Sequence, residues 1–299
     1  MRRAAAVIGA LALALGWLGL AAAPVRAWQA RELGRVTGLG HAESVAWDPD
    51  GQRAFTGRFG PNRNSGQKDG LGFISQLDGR GRVVVERLLP QSGALNKPKG
   101  LWVAAGHLWA PDIDTVWVFS LATGQGRSLA IPGALFLNDI AVSGDKLYVT
   151  DTAAHRIYQV QPADFLAAEP QVQVILEQPG LSPNGVWAEA NGGLLITSSP
   201  RDGSLGSLHR LAPGARQTQA ITEPLGRLDG LAVISDGTIL YSDWVTGSIY
   251  ALTPGGQTQK LADGFTGPAD FCLIPRGAGH RLLAPDLVKG EIRAFDLTP

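Results

Sequence analysis

The sequence predicts an all-β fold, a six-bladed β-propeller with four antiparallel strands in each blade. Three observations lead to this prediction. A polar residue directly before a short apolar run occurs six times, at intervals of roughly 40 to 55 residues, the period of a propeller blade. Glycine-containing turns separate each run from a second strand-like run. Helical spacing of apolar residues is nearly absent after residue 27, and only residues 162–169 suggest one or two helical turns.

The six polar residues, here called the heads, stand at the start of the innermost strand of each blade. They are Glu43, Lys99, Asn138, Asn184, Asp229 and Asp270. Because the inner strands of a propeller begin around one end of a central channel, we expect these side chains to converge there although they are far apart in sequence.

The blades can be followed along the chain. Blade one carries a long loop at residues 57–72, rich in Gly and Asn, which we interpret as a cover over the channel mouth. Blades three and five each show four strand-like runs. Blade six ends one strand short, and residues 31–37, which belong to no other blade, are predicted to complete it and close the ring.

Four aspartates follow second strands, namely Asp112, Asp151, Asp243 and Asp286. An aspartate at the end of a strand commonly accepts hydrogen bonds from backbone amides of a tight loop. We therefore interpret these four as structural capping residues.

Composition bounds the cellular setting and the partners. Residues 1–27 have the charged, apolar and small-residue regions of a secretory signal, which predicts an exported, periplasmic or secreted protein with the propeller at residues 28–299. An uncleaved membrane anchor is the alternative for this segment. The formal net charge is zero and no basic patch indicates nucleic acid, and Cys272, the single cysteine, is predicted to be a buried core residue.

The head chemistry indicates a cation site. Glu43, Asp229 and Asp270 would bring three carboxylates close together, and like charges at short range either raise their pKa values or require a cation. Asn138 and Asn184 add amide oxygens. An all-oxygen set suits Ca²⁺ first and Mg²⁺ or Mn²⁺ next, and Zn²⁺ also accepts carboxylates.

Four of these segments also resemble the SMP-30/gluconolactonase/LRE family of six-bladed propellers, over almost the whole chain after residue 27. The matching runs are His41-Ala-Glu43-Ser-Val-Ala-Trp-Asp48, Asn138-Asp-Ile-Ala-Val, Pro183-Asn184-Gly-Val-Trp and Leu228-Asp229-Gly-Leu-Ala-Val. The resemblance implies a divalent metal held by Glu43, Asn138, Asn184 and Asp229, and hydrolysis of lactones. It also implies Asp229 as the catalytic base, while our own alignment adds Asp270 as the second candidate.

Two residues depart from the sugar-lactonase pattern. Such enzymes often carry an Arg two positions before the third-blade Asn, where this chain has Phe136, so we expect aliphatic or aryl lactones rather than sugar lactones. Lys99 either disturbs a metal or pairs with Asp270, or else points along the channel away from the site. Lys99, Phe136 and His155 are our candidate substrate-binding residues, with His155 and His41 as candidate proton shuttles.

The function predicted from the sequence is a metal-dependent hydrolase that opens a small-molecule lactone. A cation would polarise the carbonyl while a carboxylate accepts a proton from water. The alternative is a non-catalytic NHL- or TolB-like propeller that acts as a binding or scaffold module for a protein partner, because this fold serves both classes. A metal-dependent lyase or other hydrolase on the same site is a third possibility. After signal cleavage no membrane association is expected.

Overall fold

The structure is a computed structural model that describes residues 27–299. This part of the chain forms 24 strands and no helix, arranged as six four-stranded antiparallel sheets, so the predicted six-bladed propeller is confirmed. The predicted signal peptide and its anchor alternative lie outside the described residues. Within residues 27–299 no helix is long and apolar enough to cross a membrane.

Each of the first five blades uses four consecutive strands, with the first strand innermost. Blade one comprises β2 (Ala42–Asp48), β3 (Arg53–Arg58), β4 (Phe73–Leu77) and β5 (Val83–Leu89). Blade two comprises β6 (Trp102–Ala104), β7 (His107–Asp112), β8 (Thr115–Ser120) and β9 (Gly126–Ala130). Blade three comprises β10 (Leu137–Ser143), β11 (Lys146–Asp151), β12 (Arg156–Gln161) and β13 (Gln171–Glu177). Blade four comprises β14 (Pro183–Ala188), β15 (Leu194–Ser198), β16 (Leu208–Leu211) and β17 (Gln219–Ala220). Blade five comprises β18 (Leu228–Val233), β19 (Ile239–Asp243), β20 (Ser248–Leu252) and β21 (Thr258–Ala262).

Blade six is closed by the start of the chain. Its strands are β22 (Cys272–Arg276), β23 (Gly279–Asp286), β24 (Glu291–Thr298) and β1 (Gln29–Val36), and β1 pairs antiparallel with β24 from Gln29 opposite Thr298 to Val36 opposite Ile292. The predicted closing strand is therefore confirmed. It covers the edge of β24 that would otherwise be open to pairing with another chain.

The core lies between neighbouring blades rather than in one central mass. Phe55 and Ile74 of blade one pack in one cluster with Leu108 and Phe119 of blade two, and equivalent clusters follow around the ring. The last cluster joins Leu283 and Ile292 of blade six to Val45, Ala54 and Leu77 of blade one. The ring is thus sealed by apolar burial as well as by the β1–β24 ladder. Cys272 is buried at this seam, as predicted.

A repeated hydroxyl fixes the position of several heads. Thr197 Oγ1, on the second strand of blade four, accepts a hydrogen bond from the Gly185 amide at 2.7 Å and donates one to the Asp229 carbonyl of blade five at 2.7 Å. Thr150 links blades three and four in the same way. Ser242 links blades five and six. In these three places the hydroxyl ties the backbone at the start of one inner strand to the backbone at the start of the next.

The capping role of the four strand-end aspartates is confirmed. Asp286, for example, accepts amide hydrogen bonds from Thr266, Gly267, Val288 and Lys289. The other three accept amides of the loops beside them, as with Asp112, Asp151 and Asp243.

The predicted helical turn at residues 162–169 is wrong, because this segment is irregular backbone. Its carbonyl groups are satisfied by a side chain instead of a helix: Arg127 Nη1 donates to the carbonyls of Phe165 and Ala168 at 2.9 and 2.8 Å. Burial of Ala163 and Phe165 in the core cluster of blades two and three holds the segment in place.

Candidate functional site

Five of the six heads meet in one cavity of about 470 Å³, here called the head cavity. Glu43, Lys99, Asn138, Asn184 and Asp229 line it together with Phe136. All five heads are buried, with between 1% and 8% of their surface exposed. The predicted convergence is thus seen for these residues, including all four proposed metal ligands.

A β-bulge at the start of the inner strand accompanies each of the four proposed ligands. The register between first and second strands shifts between Ala42 and Ser44 around Glu43, and between Leu137 and Ile140 around Asn138. It shifts again at Asn184 and at Asp229. A bulge frees one residue from the ladder and redirects its side chain, which explains how a residue within a strand faces the channel instead of a blade interface.

The two asparagines are held by their nitrogens. Asn138 Nδ2 donates to Thr152 Oγ1 at 3.0 Å, and Asn184 Nδ2 donates to the Leu228 carbonyl at 3.1 Å. Because the amide nitrogen is fixed in each case, the orientation of the amide is set and its Oδ1 remains available as an acceptor.

The two carboxylates of the head cavity differ in their partners. Trp244 Nε1 donates to Asp229 Oδ2 at 2.8 Å, whereas Glu43 Oε2 is buried without any hydrogen-bond partner among the described residues. An unpartnered buried acceptor is costly, so Glu43 Oε2 requires a proton, a cation or a donor from outside the protein.

Burial shifts the pKa values of both carboxyl groups. It raises the pKa of Asp229 to about 6, against the lowering effects of the Trp244 hydrogen bond and of the Arg227 charge. Burial, and then the charge of Asp229, raise the pKa of Glu43 well above its ordinary value. At neutral pH Asp229, with a pKa of about 6, is therefore able to accept a proton.

Lys99 faces aromatic rings rather than a carboxylate. Its Nζ lies 4.3 Å from the centroid of the Phe136 ring and 5.9 Å from that of Phe59. Its only hydrogen bond within residues 27–299, to the Lys97 carbonyl, is long at 3.4 Å. No carboxylate of residues 27–299 lies within 4.0 Å of it, so the expected pairing of Lys99 with Asp270 is not formed. Burial lowers the pKa of Lys99 to about 8.

Asp270 lies in a different cavity. With Asp139 it lines a space of about 380 Å³ further along the inner strands, here called the tryptophan cavity because Trp47, Trp102 and Trp187 also line it. Burial raises the pKa of both carboxyl groups, that of Asp139 to about 7. The charges of Asp139, Glu43 and Asp229 also raise the pKa of Asp270, so the carboxyl groups of the two cavities interact electrostatically.

The histidines and the blade-one loop have mainly structural contacts. His155 Nδ1 accepts a hydrogen bond from the Ser182 amide at 3.1 Å, and its side chain lines a neighbouring cavity of about 450 Å³. His41 Nδ1 lies 3.1 Å from the Leu287 carbonyl. The loop at residues 59–72 contributes Phe59 and Ser65 to the head cavity.

A buried ion pair anchors this loop. Lys97 Nζ, fully buried, donates to Asp69 Oδ2 at 2.7 Å and to the Phe59 carbonyl at 2.8 Å. Both partners belong to residues 59–72. The cover predicted from the sequence is therefore fastened to blade two at this point.

The sequence candidates left out several cavity residues, among them Trp244, Arg201 and Arg227. Trp244 directly follows the capping residue Asp243, which is the one signal that places it near the mouth. Arg227 stands two positions before Asp229, as Phe136 does before Asn138, so the blade repeat could have identified it. Arg201 lies in a loop, where no strand period fixes a position.

The donor chemistry of the head cavity fits a hard cation. Two buried carboxylates and two oriented amide oxygens are the ligand types that Ca²⁺ prefers, and the unpartnered Glu43 Oε2 is the acceptor that such an ion would satisfy. Among the described residues no group of three or more His, Cys, Asp or Glu side chains is arranged to hold a metal. Binding would therefore depend on the asparagine oxygens as well as on Glu43 and Asp229.

Comparison with known proteins gives structural neighbours only. No protein-family model and no curated protein matches the chain. A candidate gluconolactonase superposes with a TM-score of 0.65 at 18% identity, over 90% of this chain and 92% of the neighbour. A streptogramin B lyase superposes with a TM-score of 0.61 at 12% identity, over 91% and 98%. An inactive variant of virginiamycin B lyase from Staphylococcus aureus with quinupristin gives 0.59 at 12%, over 91% and 100%. At these identities the likeness shows a shared propeller fold, and function has to be argued from the site.

Proposed function

We propose that the protein is a hydrolase that opens a lactone in the head cavity, with a divalent cation held by Glu43, Asn138, Asn184 and Asp229. One observation carries the proposal: carboxylate and oriented amide oxygens of four blades meet in one cavity, where Glu43 Oε2 has no partner. Ca²⁺ is the cation that this donor set suits best, ahead of Mg²⁺, Mn²⁺ and Zn²⁺.

The protein residues have separate roles in this reaction. When bound, the cation supplies a Lewis acid for the carbonyl oxygen. Asp229 accepts the proton of the attacking water, for which a pKa of about 6 is well placed at neutral pH. Trp244 holds Asp229 Oδ2 in one orientation, and the amides of Asn138 and Asn184 are fixed by their own hydrogen bonds.

Phe136 favours an apolar substrate body. Its ring lines the cavity together with Phe59 and Trp244, beside the polar heads. We therefore propose aliphatic or aryl lactones ahead of sugar lactones. We also propose that the protein acts outside the cytoplasm, because residues 1–27 have the pattern of a secretory signal.

The test is a lactone panel measured with and without metal. The chelator-treated protein is assayed with γ-nonalactone, dihydrocoumarin and gluconolactone, before and after addition of each of the four cations. We expect hydrolysis of the first two that is lost with chelator and restored by Ca²⁺. Full activity in chelator would reject the metal, and a preference for gluconolactone would reject the role given to Phe136.

A binding module without catalysis is the second candidate, and one observation favours it. Leu205 and Val245 line the head cavity although 48% and 62% of their surfaces are exposed, which suits contact with a larger partner. Absence of turnover for the whole lactone panel, with cation binding retained, would favour this function over the hydrolase.

A further inference from the structure

The head cavity contains a group of three cations that form no ion pair at contact distance with the described residues. Lys99, Arg201 and Arg227 all line it, and within residues 27–299 none of the three has a carboxylate within 4.0 Å. Most of the other arginines of the described chain do have such a partner, as Arg210 has Glu189 and Arg281 has Asp296. The head cavity is therefore a place where positive charge is left for something outside the protein.

Aromatic rings position these cations. Lys99 Nζ lies 4.3 Å and Arg201 Cζ 5.0 Å from the centroid of the Phe136 ring, and Arg227 Cζ lies 4.7 Å from that of Trp244. A ring face attracts a cation but supplies no hydrogen-bond acceptor. Among the described residues the N–H donors of the two guanidinium groups thus remain unused, and the Lys99 ammonium group makes one long hydrogen bond, while the positions of all three are restrained.

Lys99 is the strongest member of the group. Only 1% of its surface is exposed, and its single hydrogen bond is 3.4 Å long. A buried ammonium group with unused donors is costly unless an acceptor arrives. Arg201 and Arg227 are exposed, so they lie towards solvent while the carboxylates of Glu43 and Asp229 are buried.

We propose that the substrate carries a carboxylate group, bound by Lys99, Arg201 and Arg227, next to an apolar or aryl body that packs on Phe136 and Trp244. The reaction of the bound molecule rests on the proposed function, because this inference names the class of substrate that the head cavity takes. In sugar lactonases of the family that this sequence resembles, an Arg often stands two positions before the third-blade Asn. Here Phe136 takes that position, and Arg201, from the loop between β15 and β16, brings a guanidinium group to its ring.

The test compares two ligands of nearly equal shape, phenylacetate and phenylacetamide, by calorimetry and by tryptophan fluorescence. We expect phenylacetate to bind about tenfold more tightly, the effect of one to two charge-assisted hydrogen bonds. Arg201→Gln and Arg227→Gln are each expected to weaken phenylacetate several-fold and to leave phenylacetamide unchanged.

Arg216→Gln is the matched control. Arg216 is also exposed and has no ion pair, but it lines a separate cavity at the periphery of blades three and four. Equal affinities for the two ligands, or an equal loss in Arg216→Gln, would overturn the proposal. Tighter binding of phenyl phosphate than of phenylacetate would overturn the choice of a carboxylate.

Failure of this inference is distinguishable from failure of the proposed function. If phenylacetate binds as described but no lactone is opened, the anion site stands and the hydrolase is rejected. If lactones are opened but a carboxylated aryl lactone has no higher kcat/KM than its methyl ester, the hydrolase stands and the anion site is rejected.

Discussion

Trp244 Nε1 donates a 2.8 Å hydrogen bond to Asp229 Oδ2, which joins the end of the second strand of blade five to the start of its first strand. This bond uses one of about four lone-pair sites of the carboxylate. Because it holds Oδ2 in place, it also sets the direction in which Oδ1 points. Because the bond favours the charged form, it opposes the effect of burial on the pKa of Asp229. The carboxyl group is thereby kept both oriented and ionisable near neutral pH.

Replacing Asp229 by Asn is expected to lower kcat for a lactone by about 10²-fold or more, because the amide keeps the size of the side chain but accepts no proton. Asp270→Asn provides the comparison, since Asp270 lines the tryptophan cavity. We expect that second variant to stay within a few-fold of the unchanged protein. Steady-state kinetics with dihydrocoumarin decide between the two carboxylates, and the opposite ranking would make Asp270 the base.

Glu43→Gln is expected to weaken cation binding. Glu43 Oε2 is buried without a partner, so a bound cation would gain both charge and an acceptor there. Ca²⁺ at a hundredfold excess over its Kd is expected to stabilise the unchanged protein by about 3 kcal/mol, seen as a rise in Tm, and Glu43→Gln reduces that rise. Asp50→Asn, in the exposed turn between β2 and β3, serves as the control. An unchanged Tm with all four cations would mean that the head cavity is not a metal site.

Part of this site was predictable from the sequence and part was not. The period of the inner strands fixed the blade order and brought Glu43, Asn138, Asn184 and Asp229 to one place, because each occupies an equivalent position in its blade. The sequence alignment of Asp270 with the heads is one residue out of register. Pro268 pairs with Asp286 as Leu228 pairs with Asp243, so Ala269 occupies the head position of blade six. Asp270 instead corresponds to Asp139, and with it faces the tryptophan cavity. Arg201 lies in a loop whose path depends on tertiary contacts, so no repeat pattern could place it over Phe136.

The affinity for phenylacetate is expected to fall as the pH rises through about 8, the pKa to which burial lowers Lys99. Lys99 is a cation with a depressed pKa, so it is charged below that pH and loses its charge above it. Glu43, Asp112 and Asp151 favour its charged form and Lys97 opposes it. Binding titrations between pH 7 and 9.5, a range above the Asp229 pKa of about 6, measure the effect.

The control for this pH dependence is Lys99→Met, which is expected to remove the fall, because Arg201 and Arg227 keep their charge throughout the range. Phenylacetamide is expected to bind equally across the same range. A fall that persists in Lys99→Met would assign the titration to another group.

Gly100→Ala is expected to destabilise the ring between blades two and three. A Cβ at this position would lie 2.0 Å from Asp139 Oδ1 and 2.9 Å from Asp139 Cα, so backbone as well as side chain would have to move. Asp139 has little freedom to do so, because its Oδ2 accepts a hydrogen bond from the Val186 amide of blade four at 2.7 Å and the Gly100 amide donates to the Asn138 carbonyl at 2.9 Å.

Overpacking of this kind costs about 1–3 kcal/mol, measured as a lower midpoint of denaturant unfolding. Gly255→Ala is the matched control, since the nearest atom to its Cβ is Thr253 Oγ1 at 3.8 Å. Equal midpoints for the two variants would show that the space beside Asp139 is not restricted as the structure has it.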